Sequence, residues 1–242
     1  MAGKFIRGAL IQFMDAFGLP VPNVIVFQFN PETMTHGWTP AQADARIPVG
    51  ATEANPLAVK GAPGETFSFT LMMDAGESIA DRDPVSGPIA QVSGVYTRLA
   101  ALEMLQFPVP SGPSGLAGVV SAAAGPAGGA VSAIAGAAAA SVPVPQSVVP
   151  TVLFVWGPGR IVPVRLTSLS VTEKLYDAFL NPVHAEATVG LRVLTPDELR
   201  YVTGPLASLA VGAYAYSQGL REALAIANLG NAAESIVGML PI

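Results

Sequence analysis

From Pro182 to Leu194 the chain reads PVHAEATVGLRVL. Val183, Ala185, Ala187, Val189, Leu191 and Val193 alternate with His184, Glu186, Thr188, Gly190 and Arg192. A period of two held this long leaves few options, because successive side chains point to opposite faces only in an extended strand. At about 3.3 Å per residue, such a strand is about 40 Å long, longer than most strands in monomeric domains. One oily face and one polar face favour antiparallel pairing with a single side buried. The polar face carries acid, base and imidazole. It is an active site, a solvated surface or a surface made for another protein.

Other segments share the period. FIRGALIQFM (5–14) predicts a strand with Arg7, Ala9, Ile11 and Phe13 on one side. LPVPN (19–23) predicts a turn, since two prolines fix φ and remove donors. VIVFQF (24–29) predicts a second strand with Ile25, Phe27 and Phe29 together, ended by Asn30 and Pro31. Residues 31–64 read as a long polar loop containing Pro40, Pro48, Pro56 and Pro63. Loops of that length are uncommon without a role, and wrapping a neighbour or covering a sheet edge fits this one. TFSFTLMMDA (66–75) alternates again, with Phe67, Phe69, Leu71 and Met73 on one side. The period then lengthens. Ile89, Val92, Tyr96, Leu99, Leu102 and Leu105 recur at three- and four-residue steps, which predicts a helix stopped by Pro108 and Pro110.

After a low-complexity stretch to about Val149, strands return. TVLFVW (151–156) leads to a GPG turn and to RIVPVRLTSLSVTEKL (160–175). In the latter, Val162, Val164 and Leu166 are in phase, but the apolar set resumes at Leu169 and Val171. That slip of one residue predicts a bulge near Thr167 and Ser168. TPDEL (195–199) is a helix start, with Thr195 as cap and Pro196 in the first turn. From 206 to 240 the pattern is helical, with Leu206, Leu209, Ala213, Leu220, Leu224 and Ala227 as one stripe and a break at NLGN (228–231). The order of elements predicts a mainly β chain of the α+β kind. In it an antiparallel sheet closes into a barrel or sandwich, one helix packs on the sheet, and an alanine-rich helical tail follows.

Charge and composition narrow the function classes. Net charge is −5, and the 12 basic residues are scattered. Nucleic-acid binding needs clustered Lys and Arg, so it is set aside. Only 12% of residues are charged, about half the usual share, which suits a chain that hides surface in an assembly. There is no cysteine, so disulfides and thiolate sites are excluded. Gln12 and Asp15 interrupt the apolar N-terminus, which argues against a signal peptide. Residues 115–142 carry no charge and are long enough to span a bilayer. They are mostly Ala, Gly and Ser, with Pro126 inside and no flanking basic cluster, so a flexible or partly helical insertion is the plainer reading.

Chemistry-bearing patterns are sparse. His184 and Glu186 share a strand face and would suit acid–base work, but a hydrogen-bonded pair or a subunit contact explains them equally. There is no Gly-x-Ser-x-Gly elbow and no His-Glu-x-x-His motif. His36 and His184 with scattered acids give no metal-ligand spacing, and DAGESIADRD (74–83) lacks calcium-loop spacing. GAPGET (61–66) precedes a strand, whereas a phosphate cradle opens a helix. Trp156 ends an apolar strand and is expected in the core or an interface rather than in a sugar platform with Trp38. No catalytic, cofactor or metal residue is assigned.

Taken in order, VFQFNPET (26–33), TFSFTLMMDA (66–75), LFVWG (153–157), LTSLSVTEKLYDAFLNPVHAEATVGLRV (166–193) and LTPDE (194–198) resemble one family. It is the tube-protein N-terminal domain of contractile injection systems, the phage-tail-like particles. The family's motif positions fall on Phe27, Phe29, Asn30 and Pro31, then on Trp156 and Gly157. They continue on Ser168, Leu169, Ser170, Thr172 and Phe179, and on Pro182, Ala185 and Ala187. The resemblance covers about 5–107 and 150–197. It implies a tail-tube-type β-barrel over 1–197, with an insertion at about 108–149 and a helical extension over 198–242. It also implies a structural protein without enzymatic activity or cofactor, assembled as a homo-hexameric ring. Such rings stack between the spike–hub and the inner tube, among the baseplate wedge proteins, in a particle built in the bacterial cytoplasm and released from the cell. Under that reading His184, Glu186, Thr188 and Arg192 face the lumen or a neighbouring subunit. The chain departs from the family in its long apolar insertion and in lacking the LysM module that follows in many members. Two alternatives stay open: a peptidoglycan-binding tail module, and a membrane-tethered assembly protein held by 115–142.

Overall fold

A computed structural model of the chain describes residues 6–16, 19–44, 55–76, 94–107, 150–202 and 206–239. The strands are β1 (Ala9–Ala16), β2 (Leu19–Val26), β3 (Met34–Thr39), β4 (Gln42–Ala43), β5 (Val59–Lys60), β6 (Gly64–Asp74), β7 (Val152–Val155), β8 (Ile161–Tyr176) and β9 (Pro182–Val193). The helices are α1 (Tyr96–Glu103), continued by a 3-10 turn Met104–Gln106, then α2 (Pro196–Leu199) and α3 (Leu206–Met239). Seven strands make one sheet in the order β2-β1-β7-β8-β9-β6-β3, while β4 and β5 form a separate ribbon. Every pairing is antiparallel.

The long strands form as their alternation dictates. On β9, Ala185, Ala187, Val189, Leu191 and Val193 are buried, and on β6 Phe67, Phe69, Leu71 and Met73 face the same core. Leu10, Val152, Phe154, Val162 and Val164 complete that face. Helix α1 covers it with Val95, Leu99, Leu102 and Leu105. Of the predicted helical stripe, Tyr96 turns outward and Val95 takes its place; Ile89 and Val92 lie outside the described residues. The pairing of β8 with β9 slips between Leu166 and Ser168, the predicted bulge. A smaller cluster of Leu153, Leu194, Leu199, Leu206 and Ala210, with Ile11 beside it, covers the other face of β1 and β7. The start of α3 packs there, so β1 buries apolar groups on both sides.

Four expectations change. The sheet is not closed into a barrel or paired with a second large sheet: among the described residues its ladder ends at β2 and β3, which do not pair with each other. The predicted turn at 19–23 is the first half of β2, with Pro20 opposite Asp15 and Pro22 opposite Phe13. Because β2 is an edge strand, a proline's missing N–H can face away from the ladder. Much of the long polar loop is ordered: its first part supplies β3, the far edge strand against β6. Finally, α3 runs unbroken through NLGN; among its described side chains Leu206 of the predicted stripe is buried and Ala213 and Leu220 are half-buried, but Leu209, Leu224 and Ala227 are exposed, and Ala210 and Ser217 are buried instead. A lone glycine in a helix costs about 1 kcal/mol, too little to end one of 34 residues. The insertion at 108–149 lies outside the described residues.

Side chains draw the core together where the ladder stops. Beyond the end of β2, Gln28 is buried and its amide imitates a peptide group. Its Nε2 donates to the Asp74 carbonyl, and its Oε1 accepts from the Asp74 N–H, both at 2.9 Å. Arg98 of α1 donates to the same Oε1. The Phe27 ring lies 5.5 Å from Phe69 and 6.3 Å from Trp156, centroid to centroid.

Candidate functional site

The hairpin of β8 and β9 dominates the molecule, with strands of 16 and 12 residues. The polar groups of β9 project from the face opposite the core. Each meets a neighbour on an adjacent element. His184 Nδ1 lies 3.6 Å from Asp74 Oδ2, and Glu186 accepts from Lys174 Nζ at 2.5 Å. Thr188 and Thr70 share a hydroxyl hydrogen bond of 3.0 Å. Arg192 grips Glu198 with two bonds, 2.9 and 2.7 Å. The lysine holds the Glu186 carboxyl below its ordinary value. The four predicted residues therefore do not converge on one point. They form a row of pairs, cross-strand for His184, Glu186 and Thr188 and strand-to-helix for Arg192, interspersed with hydroxyls: Ser68 and Thr70 on β6, Ser168, Ser170 and Thr172 on β8. Among the described residues no three His, Asp or Glu side chains cluster as metal ligands.

The family-type motif residues have local structural roles. Asn30 accepts from the Gly8 N–H and donates to the Ile6 carbonyl, each at 2.9 Å, tying the chain leaving β2 to the chain entering β1. Phe27 is buried, but Phe29, beyond the end of β2, is exposed. Pro31 follows and is partly buried. Trp156 packs against the core beside Phe154, 6.1 Å between rings. Gly157 has φ +68 in the β7–β8 turn, where a glycine avoids the left-handed penalty. Pro182 is buried, and its carbonyl accepts from the Val95 N–H at 2.9 Å, which seats the start of α1.

The tip of the hairpin is rigid and apolar. Asp177 Oδ1 accepts from the N–H groups of Phe179 and Asn181, at 2.7 and 2.9 Å, and its Oδ2 accepts from Asn181 Nδ2 at 2.9 Å. These bonds hold the Asp177 carboxyl below its ordinary value. Leu175 and Leu180 sit at positive φ, +54 and +64, conformations that non-glycine residues adopt at a cost. Phe179 and Leu180 are 86% and 75% exposed, and Leu175 and Tyr176 are exposed beside them.

At the opposite end of the long strands lies a cluster that sequence reading missed. Glu65 of β6 points to the core side with its side chain only 4% exposed. His36 of β3 approaches it through Nε2 at 2.8 Å, and Arg221 of α3 donates to the same carboxylate oxygen. The guanidinium of Arg221 also covers Trp38, 4.9 Å from the ring centroid, and His36 stacks on Phe67 at 4.5 Å. Arg160 lies over the Phe67 ring, and burial lowers its pKa while the Glu65 charge opposes that. A cleft of about 240 Å³ opens beside this cluster, lined by Trp38, Ala62, Glu65, Val193, Tyr214 and Arg221 among others. The sequence does hold a signal. In GETFSFTLMMD, Glu65 falls in phase with Phe67, Phe69, Leu71 and Met73, and a charge in the buried phase requires partners.

A scan against protein-family models finds no match, and a search of the curated proteins finds none.

Proposed function

We propose that the chain is a structural subunit of a phage-tail-like contractile injection system. It forms a ring in the baseplate and inner-tube region that joins the spike–hub to the tube. The carrying observation is the β8–β9 hairpin: a long blade with a polar, hydroxyl-rich outer face of satisfied cross-strand pairs, ending in an exposed apolar tip. A face of mutually paired side chains suits a lumen or a subunit contact better than a reacting centre, which needs groups converging on one substrate. The ordered motif set from Phe27–Pro31 through Trp156–Gly157 to Pro182 supports the same reading through its resemblance to tube-protein N-terminal domains. In this reading the partners are further copies of the chain, the spike–hub, the inner tube protein and the wedge proteins. The particle is assembled in the bacterial cytoplasm. Among the described residues no helix is long and apolar enough to cross a membrane. Electron microscopy of the purified chain tests the ring: annular particles of uniform copy number are expected. Sugar retention on peptidoglycan beads without any assembly would replace this reading with a cell-wall-binding one.

A further inference from the structure

We propose that copies of this chain associate head to tail, the tip of the β8–β9 hairpin of one copy seating in the cleft beside Trp38 and α3 of the next. The inference gives the assembling-subunit reading its contact and rests on that reading.

Three observations carry it. The first is the tip. Phe179 and Leu180 stand almost fully in solvent, on a turn fixed by Asp177 rather than on a mobile loop. An aromatic anchor that fills a partner's pocket is a common form of interface hot spot, and a turn tied by hydrogen bonds has less ordering entropy to lose when it docks. The second is a receptor on the same chain. The cleft is framed by Trp38 and Tyr214, and Gln218 and Arg221 of α3 form one wall. From that wall α3 leaves the sheet: residues 222–229 are all exposed, including Leu224, Ile226 and Leu229. A helix segment with apolar groups that no other described residue covers is marginal alone, and this one begins directly after Arg221 of the cleft wall.

The third observation is placement and charge. Pro182 begins β9 at the tip and Val193 ends it in the cleft, about 40 Å apart for a strand of this length. A copy cannot reach its own cleft with its own tip, so a tip that fills it belongs to a second copy. The tip end carries Asp74, Glu173, Asp177 and Glu186 against Lys174 and Arg98. At the cleft end Arg192, Arg200 and Arg221 are balanced by Glu198, Asp197 and Glu65, and Arg160 and Arg165 leave a positive balance against Glu222. An acidic end therefore meets a basic end, which orients the approach. Because tip and cleft are different surfaces, the contact is heterologous and uses one of each per copy. It repeats from copy to copy and closes into a ring when the rotation closes.

The absence of cysteine from the chain makes a clean test. In the full chain, Ala62→Cys places a thiol in the cleft and Ala178→Cys places one beside Phe179. Under mild oxidation the double variant is expected to give a ladder of species beyond the dimer on a non-reducing gel, while either single variant, with no thiol opposite its own across the contact, stays monomeric. In parallel, Phe179→Ser with Leu180→Ser is expected to weaken self-association about tenfold or more in sedimentation velocity, with an unchanged circular dichroism spectrum. Oligomers that neither cross-link as a ladder nor respond to the tip substitutions would overturn the contact and leave the assembling-subunit reading standing. A wild-type chain that stays monomeric at every soluble concentration would also overturn the contact, and the subunit reading would then rest on particles alone.

Discussion

Glu65 is the residue on which most of the molecule's polar architecture turns. Its carboxylate is nearly excluded from water, yet it receives His36 from an edge strand and Arg221 from the C-terminal helix. Truncating it to alanine removes one anchor between α3 and the sheet, beside the apolar contacts of Leu206 and Ala210 and the Ser217–Ile161 bonds, while Arg221 and His36 keep access to solvent. Glu65→Ala is expected to lower the unfolding free energy by about 2 kcal/mol, less than for a fully buried pair because its partners remain hydrated, as read by urea denaturation. Glu198 is the second such residue. It accepts from Arg192 and from the Thr195 N–H and hydroxyl, which hold its carboxyl at about 2 rather than 4.5. A folded value below the unfolded one contributes stability that is complete above about pH 4.5 and is lost as pH falls toward 2. The pair is more than one-third exposed, so screening reduces its contribution to about 1 kcal/mol. Glu198→Gln should flatten the acid limb of a stability-versus-pH curve over that window, by lowering stability about 1 kcal/mol near neutrality and leaving it unchanged near pH 2.

Single elements show what sequence reading could and could not reach. Strands β6, β8 and β9 were legible, bulge included, because a period of two on a half-buried face is a direct consequence of burial. The nature of β2 was not. Pro20 and Pro22 read as a turn unless the strand is known to lie at an edge, and edge position is a property of the sheet. Part of the stripe on α3, from Leu209 on, was misplaced for a related reason. Alanine and leucine occur around the whole helix, so periodicity could not choose between Leu209 and Ala210; the choice fell to Leu153 and Leu194 across the interface. Turn geometry was equally hidden. Leu180 at φ +64 is held by the Asp177 network. Leu180→Gly should therefore stabilise the fold by about 0.5 kcal/mol in thermal unfolding, the left-handed penalty removed exceeding the entropy a glycine adds. Gly94 gives the opposite case. It has φ +56, and a Cβ there would strike the Pro182 carbonyl oxygen. Gly94→Ala should cost about 2 kcal/mol or more, through strain at a special backbone position and loss of the α1 seat, as measured by the shift in urea midpoint.

At the scale of the whole molecule, the sheet is open in its ladder but drawn together by Gln28, Arg98 and the aromatic cluster around Phe27. Its long blade extends past the core, and its last helix leaves the sheet after Arg221 with apolar side chains uncovered. These surfaces stand exposed among the described residues, and the proposed assembling role gives them a partner. The polar face of β9 was visible from alternation alone. Its satisfied pairing with Lys174, Asp74 and Thr70 was not, because cross-strand partners depend on register. The central claim is that this chain is a ring-forming part of an injection particle. Cryo-electron microscopy of phage-tail-like particles from the native source tests it most directly. The account predicts six copies in a ring between spike and tube, with His184, Glu186, Thr188 and Arg192 facing the lumen or a neighbouring subunit. Particles that lack this chain, or hold it with that face buried within a single subunit, would contradict it.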